Sequence, residues 1–392
     1  TLWEAFPPNE VAIGQAMFGV GIMVGPTLGP TLGGFIVDNW EWPWIFYINL
    51  PLGLIAGFMV WTYVKDAVHQ ERARTVDWLG IGLLTTGVGA LQWMLERGER
   101  YDWFESRFVT SLAAVSALSF IGLVWRELTA REPVINFRVL KSRQLATGVA
   151  IAMLLGFALF GSVFVLPVFL QGLHGFTANQ TGLVILPGAI ASAVTMAVLG
   201  RLGSKIDARP PIALGVLGFL WCMWSLSRLT LDAGAGDLFW PLIVRGVSLG
   251  MIFIPLTSAS MAELVPREIP EGTGMFNLTR QLGGSLGIAI VATLLSRFTF
   301  EAKSQLTQHV VTVGTDAQAR LEFISQGMVA RGMSPAVSHQ QALMVMDRMV
   351  TGQASVLAFS RIYLISGIAL CASIPLMLFW HHGKGRAVVQ AH

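Results

Sequence analysis

The sequence predicts an all-α integral membrane protein with about ten transmembrane helices, and three observations carry that prediction. Only 12% of the 392 residues are charged while 54% are hydrophobic; a soluble domain carries about 25% charged residues. Apolar stretches close to the ~20 residues needed to cross a bilayer recur along the chain, separated by mostly short polar junctions. Lysine and arginine are dense in every second junction and sparse in the others, the asymmetry of the positive-inside rule.

The candidate spans are roughly 10–37, 43–64, 78–95, 107–125, 144–170, 178–200, 210–228, 238–262, 272–296 and 358–380. One set of junctions holds Lys65, Arg72, Arg74, Arg126, Arg131, Arg138, Lys141, Arg143, Arg201, Lys205, Arg209 and Arg267, with Lys384 and Arg386 after the last span. The alternate short junctions hold Arg97, Arg100, Arg107 and Arg228. Fourteen against four assigns the first set, and the C-terminus, to the cytoplasm. Trp40, Trp42, Trp44, Trp103 and Trp240 then mark outer ends, and Trp78, Trp125 and Trp380 inner ones, as interfacial belts do. The long junction 297–357 falls outside; its Gln- and Ala-rich segments, broken by Gly-Met-Ser-Pro at 332–335, read as amphipathic surface helices. The chain starts at Thr1, not Met, and shows no signal peptide; the expectation is a chain that is incomplete at its N-terminus.

The first span contains GVGIMVGPTLGPTLGG at 19–34. Gly21, Gly25, Gly29 and Gly33 are spaced by four, which puts them on one helix face and makes a smooth stripe for another backbone. Pro26 and Pro30 each remove a backbone donor and kink the helix. In a membrane bundle neighbouring groups can satisfy what the prolines free, so the reading is a kinked, closely packed span. A plain helix-pairing face is the simpler alternative.

Gly25-x-x-x-Gly29-Pro30-x-x-Gly33-Gly34 resembles the antiporter motif of the major facilitator superfamily, carried on its fifth helix. DNWEWPWIFYINLPLG at 38–53 resembles the turn and sixth helix of the fourteen-span drug:proton antiporters of EmrB/QacA type. VDWLGIGLLTTGVGALQWMLERGERYDWF at 76–104 resembles the extra helix pair of those fourteen-span members. TGLVILPG at 181–188 and NLTRQLGGSLG at 277–287 also resemble that family, with the EmrB branch favoured. The resemblance implies a fragment of the major facilitator fold lacking the first four helices. Residues 1–64 would be the remnant of the N-terminal bundle, 65–141 the inserted helix pair, and 142–392 a C-terminal six-helix bundle with a periplasmic loop at 297–357. It further implies a proton-coupled multidrug exporter in the bacterial cytoplasmic membrane. Such a protein takes lipophilic drug-like substrates, uses the proton gradient in place of a cofactor, and in the EmrB branch works with a membrane fusion protein and an outer-membrane channel. The proton-coupling acid would lie upstream of Thr1.

Charges inside a membrane are candidate functional groups. Arg245 lies a turn or two from the outer end of its span, where it either serves transport or snorkels to the interface. Arg280 lies near mid-span beside Asn277 and Gln281, and no Asp or Glu occupies a mid-span position. Phe157, Phe160 and Phe164, followed by Gln171, share one helix face, and Met251 and Phe253 lie on another cavity-type helix. Aromatic and Met surfaces suit lipophilic cations, although packing alone would also explain them.

Other chemistries find no support. Gly283-Gly284-Ser285-Leu286-Gly287 matches GxSxG but lies mid-helix, not on a strand-to-helix elbow. No Walker A or HExxH motif occurs, and Cys222 and Cys371 sit in apolar runs. The net charge of +3 is not the footprint of a nucleic-acid binder. An enzyme is disfavoured. The rival functions are export of one specific metabolite, such as a siderophore or antibiotic, and a passive channel.

Overall fold

The computed structural model describes residues 31–63, 77–129, 137–202, 207–265, 268–312 and 314–377, with Gly14, Gly21, Gly25, Gly29 and Phe379. Among them there is no strand, and nine helices are long and apolar enough to cross a membrane. They coincide with nine of the ten expected stretches. Most of the tenth, 10–37, lies outside the described residues, as do Pro30 and the basic residues after the last span.

In chain order the helices are α1 (31–39), α2 (Trp44–Tyr63), α3 (Trp78–Arg97), α4 (Arg107–Thr129), α5 (Arg143–Leu173), α6 (Ala178–Leu202) and α7 (Arg209–Leu226). They continue as α8 (Ala235–Met261), α9 (Ile269–Thr312), α10 (Gly314–Val329), α11 (Pro335–Cys371) and the short α12 (Ser373–Met377). Local chemistry sets several starts. Asp77 accepts the Gly80 N–H to open α3, and Ser142 accepts that of Leu145 to open α5. Proline occupies the first turn of α7 and of α11, where its missing N–H has no partner to lose.

The core joins α5, α7, α8, α9 and α11. Two crossings are held by glycines that let backbones touch. On the α5/α9 crossing, Gly156 faces the Arg280 backbone, Gly283 that of Met153 and Gly287 that of Phe157. On the α6/α8 crossing, Gly188 faces Leu242 and Gly246 faces Gly188. Any side chain there would push the helices apart, so both contacts depend on small residues.

Helices α3 and α4 form a separate hairpin. At the end that carries the Lys- and Arg-rich junctions, here the basic side, Asp77 pairs with Arg126 at 3.0 Å. Mid-hairpin, the Ser116 hydroxyl donates to the Gly87 carbonyl at 3.0 Å. At the far end the chain turns through Asp102 and Trp103, both left-handed (φ 52° and 54°), and Trp103 N–H donates to Gly98 O at 2.7 Å.

The segment 297–357 differs from expectation. A separate helix is present at α10, but α9 runs unbroken from Ile269 to Thr312 in place of ending with its apolar span. Its 44 residues make a rod of about 66 Å, some twice the ~30 Å hydrocarbon core. The cause is local: no glycine or proline occurs between Gly287 and Gly314. Helix α11 likewise starts well before its apolar half, and α10 packs on it. Lys303 reaches Asp347 at 2.8 Å and Arg361 reaches Glu301 at 4.0 Å, tying α9 to α11. The expected break at 332–335 is present as a turn with Gly332 at φ 92°, followed by Pro335 at the start of α11.

Candidate functional site

Three polar features lie within this framework. The first centres on Arg280 of α9, which is 8% exposed. Its guanidinium carbon stands 5.7 Å from the centre of the Phe253 ring on α8, and one terminal nitrogen approaches the Asn277 side-chain oxygen at 3.5 Å. Asn277 in turn donates to the Thr273 carbonyl at 3.0 Å, which fixes the orientation of its amide. The Nε of Arg280 is buried without a partner. A cation held by a ring face and one neutral oxygen retains capacity for an acceptor, which a charge in this setting strongly favours filling.

The second feature is Arg245 of α8. It is 6% exposed and packed inward, so the snorkelling alternative is set aside: its length is spent inside the bundle and not in reaching the interface. Beside it stand the Cys222 thiol on α7 and the Tyr363 hydroxyl on α11, and one terminal nitrogen is buried without a partner.

The third is the seam between α1 and α6. Thr31 donates to Gly182 O at 2.9 Å, Asp38 accepts the Asn179 N–H at 3.0 Å, and Gly34 abuts the Ala178 backbone. The expected glycine stripe does not make this contact. Positions Gly21, Gly25, Gly29 and Gly33 have nothing within 4 Å of where a Cβ would stand; Gly34 makes the close approach. One residue further along a helix turns about 100°, so Gly34 faces α6 while the i+4 stripe faces away from it.

The expected substrate-facing set is divided. Phe160 lies against Gly284 and the Phe157 backbone against Gly287, both on the helix of Arg280. Phe164 packs on the core at the same helix face, but Gln171 is exposed near the end of α5, away from Arg280. Met251 and Phe253 do not share a surface. Met251 sits against Gly215 of α7, whereas Phe253 faces Arg280; residues two apart on a helix point to different sides. Gln281 is exposed, and its carbonyl accepts the Ser285 hydroxyl at 3.2 Å.

Sequence reasoning missed Thr31, Asp38, Gln92 and Ser285. Each acts through a partner far away in the chain. A lone amide such as Gln92 in an otherwise apolar span was the available signal.

Nine apolar helices among the described residues, glycine-mediated crossings and a buried arginine facing an aromatic ring describe a multi-pass membrane protein. The sequence profile described as Major Facilitator Superfamily matches residues 2–288. The chain is 31% identical over 394 residues to the "Fatty acid resistance protein FarB" of Neisseria gonorrhoeae, covering 98% of this chain and 75% of that protein. It is 30% identical over 381 residues to the "Multidrug export protein EmrB" of Escherichia coli, covering 97% and 72%. Against the "Colistin resistance protein EmrB" of Acinetobacter baumannii the identity is 25% over 384 residues, covering 98% and 74%. The chain belongs to the Major Facilitator Superfamily, among its EmrB-type transporters.

Proposed function

We propose that the transporter exports lipophilic drug-like molecules across the bacterial cytoplasmic membrane in exchange for protons, by alternating access between two bundles. The basic side is then cytoplasmic, as the Lys and Arg asymmetry favours. Residues 1–64 belong to the N-terminal bundle, 65–141 form the inserted pair and 142–392 the C-terminal bundle. The α1/α6 seam is the contact between bundles and closes the path against leak.

The observation that carries this reading is the Arg280–Phe253 pair. It places an underused cation on an aromatic face inside an apolar bundle, and the name of the Escherichia coli relative supports multidrug export. The chemistry is transport and not catalysis, driven by the proton gradient without a cofactor. The projecting α9–α10–α11 segment supplies a surface for a membrane fusion protein and, through it, an outer-membrane channel.

The test uses everted membrane vesicles energised to acidify their interior. Adding a lipophilic drug should dissipate the pH gradient only in vesicles that contain the transporter, and a protonophore should abolish drug uptake. Drug flux that persists unchanged with the protonophore would establish the passive channel instead. A second substrate class is favoured by one observation: the unpaired Nε of Arg280 suits a carboxylate, and one relative is named for fatty acid resistance. Competition between a long-chain fatty acid and a cationic dye separates the two classes. A panel of siderophores and antibiotics tests the specific-metabolite alternative.

A further inference from the structure

The hairpin α3–α4 is closed on itself at both ends and in the middle, by Asp77–Arg126, Ser116–Gly87 and the Gly98–Trp103 turn. Its ring contact between Trp93 and Phe108, at 5.9 Å, adds to that closure. Much of the rest of its surface is apolar and exposed, including Leu118, Ile121, Val124 and Leu128 on α4, which suits lipid. Its main contact outside itself is with α9, made by α3 and by the turn Glu99–Tyr101.

At that contact the Gln92 side-chain amide meets the Ser285 hydroxyl at 2.5 Å. Both lie within spanning helices. An amide in hydrocarbon has no water to bond, and here the Ser285 hydroxyl donates to the Gln92 side-chain oxygen, giving that oxygen a partner. Ser285 is also hydrogen-bonded to the Gln281 carbonyl of its own helix, one turn from Arg280. The opposite side of α9 is held to α5 by Gly283, Gly284 and Gly287. Helix α9 is therefore gripped on one side by the bundle core and on the other by the hairpin.

We infer that the hairpin α3–α4 is a brace that docks on α9 through Gln92 and Ser285 and travels with the C-terminal bundle as one rigid body through the transport cycle. This rests on the alternating-access reading above. A rigid brace keeps the Asn277–Arg280 segment from tilting independently of α5 while the two bundles rock.

The test is a tether. In the full chain with Cys222 and Cys371 replaced by serine, Gln92→Cys and Ser285→Cys are joined by a short bis-methanethiosulfonate reagent. A protease site inserted between Leu202 and Asp207 reports the link on a gel. Linked and unlinked forms are assayed for drug-dependent proton flux beside the cysteine-free parent. The expected result is efficient linking, at the same rate with and without a pH gradient, and transport within about twofold of the unlinked form. A linked form that loses transport about tenfold and recovers it on reduction would overturn the inference, because the hairpin must then slide on α9. Failure to link would overturn the docking itself. An unsubstituted chain that does not transport is a failure of the functional reading, separate from both; the linking yield and its insensitivity to the gradient still judge the brace.

Discussion

Arg280 and Phe253 face one another between α9 and α8, with the guanidinium carbon 5.7 Å from the ring centre and the Asn277 oxygen 3.5 Å from the guanidinium. A cation over an aromatic face is worth roughly 0.5–2 kcal/mol, more as water is excluded. Arg280→Lys keeps the charge but loses the planar fork, and should retain part of the transport rate. Arg280→Ala should lower it about tenfold or more while membrane abundance stays normal. Initial rates of drug uptake, normalised to protein detected in the same vesicles, check both.

Gly34 and Gly33 are neighbours with opposite environments: a Cβ at Gly34 meets the Ala178 backbone, and one at Gly33 meets nothing within 4 Å. Overpacking a close contact costs about 1–3 kcal/mol. Gly34→Val should therefore suppress transport and raise passive leak, whereas Gly33→Ala should affect α1/α6 packing little. Thermal unfolding in detergent together with a leak assay distinguishes them. Equal effects at the two positions would contradict the seam described here.

The Arg126 guanidinium, followed by the Gly80 N–H, holds the Asp77 carboxyl below its ordinary value of 3.8. A depressed native-state pKa adds stability above the unfolded value, and that stability is lost as pH falls through the native one. Asp77→Asn should accordingly unfold at a lower temperature than the parent at pH 7. The difference should persist to about pH 4 and shrink only in stronger acid. A melting series from pH 3 to pH 7 measures it.

The α5/α9 crossing tolerates no side chain at Gly156 or Gly283, since each faces a backbone. Gly156→Val and Gly283→Val should reduce the amount of folded transporter in the membrane, in contrast to Arg280→Ala, which should reduce rate and not amount. Gel filtration of detergent extracts separates loss of fold from loss of activity.

The spans were legible because hydrocarbon imposes one rule on every helix, and composition alone satisfies it. The turn at Gly332 and the start at Pro335 were legible from backbone chemistry. The length of α9 was misjudged because polarity was taken to end a helix, whereas only a breaker does so, and none occurs between Gly287 and Gly314. Gln92 and Ser285 are 193 positions apart, and Asp38 and Asn179 are 141 apart. No periodicity encodes such pairings; they follow from how packed helices meet. Met251 and Phe253 were grouped by proximity in sequence, and helical geometry separates them.

Helix α9 joins the segment that carries Arg280 to a region far outside the apolar layer without a hinge. A stiff rod of this kind acts as a lever. A tilt of about 10° at Arg280 displaces a point 30 Å further along by roughly 5 Å, more than the rise of three residues. The tip thus reports the tilt of its buried half mechanically, and a protein seated there would sense occupancy of the transport path without touching the cargo.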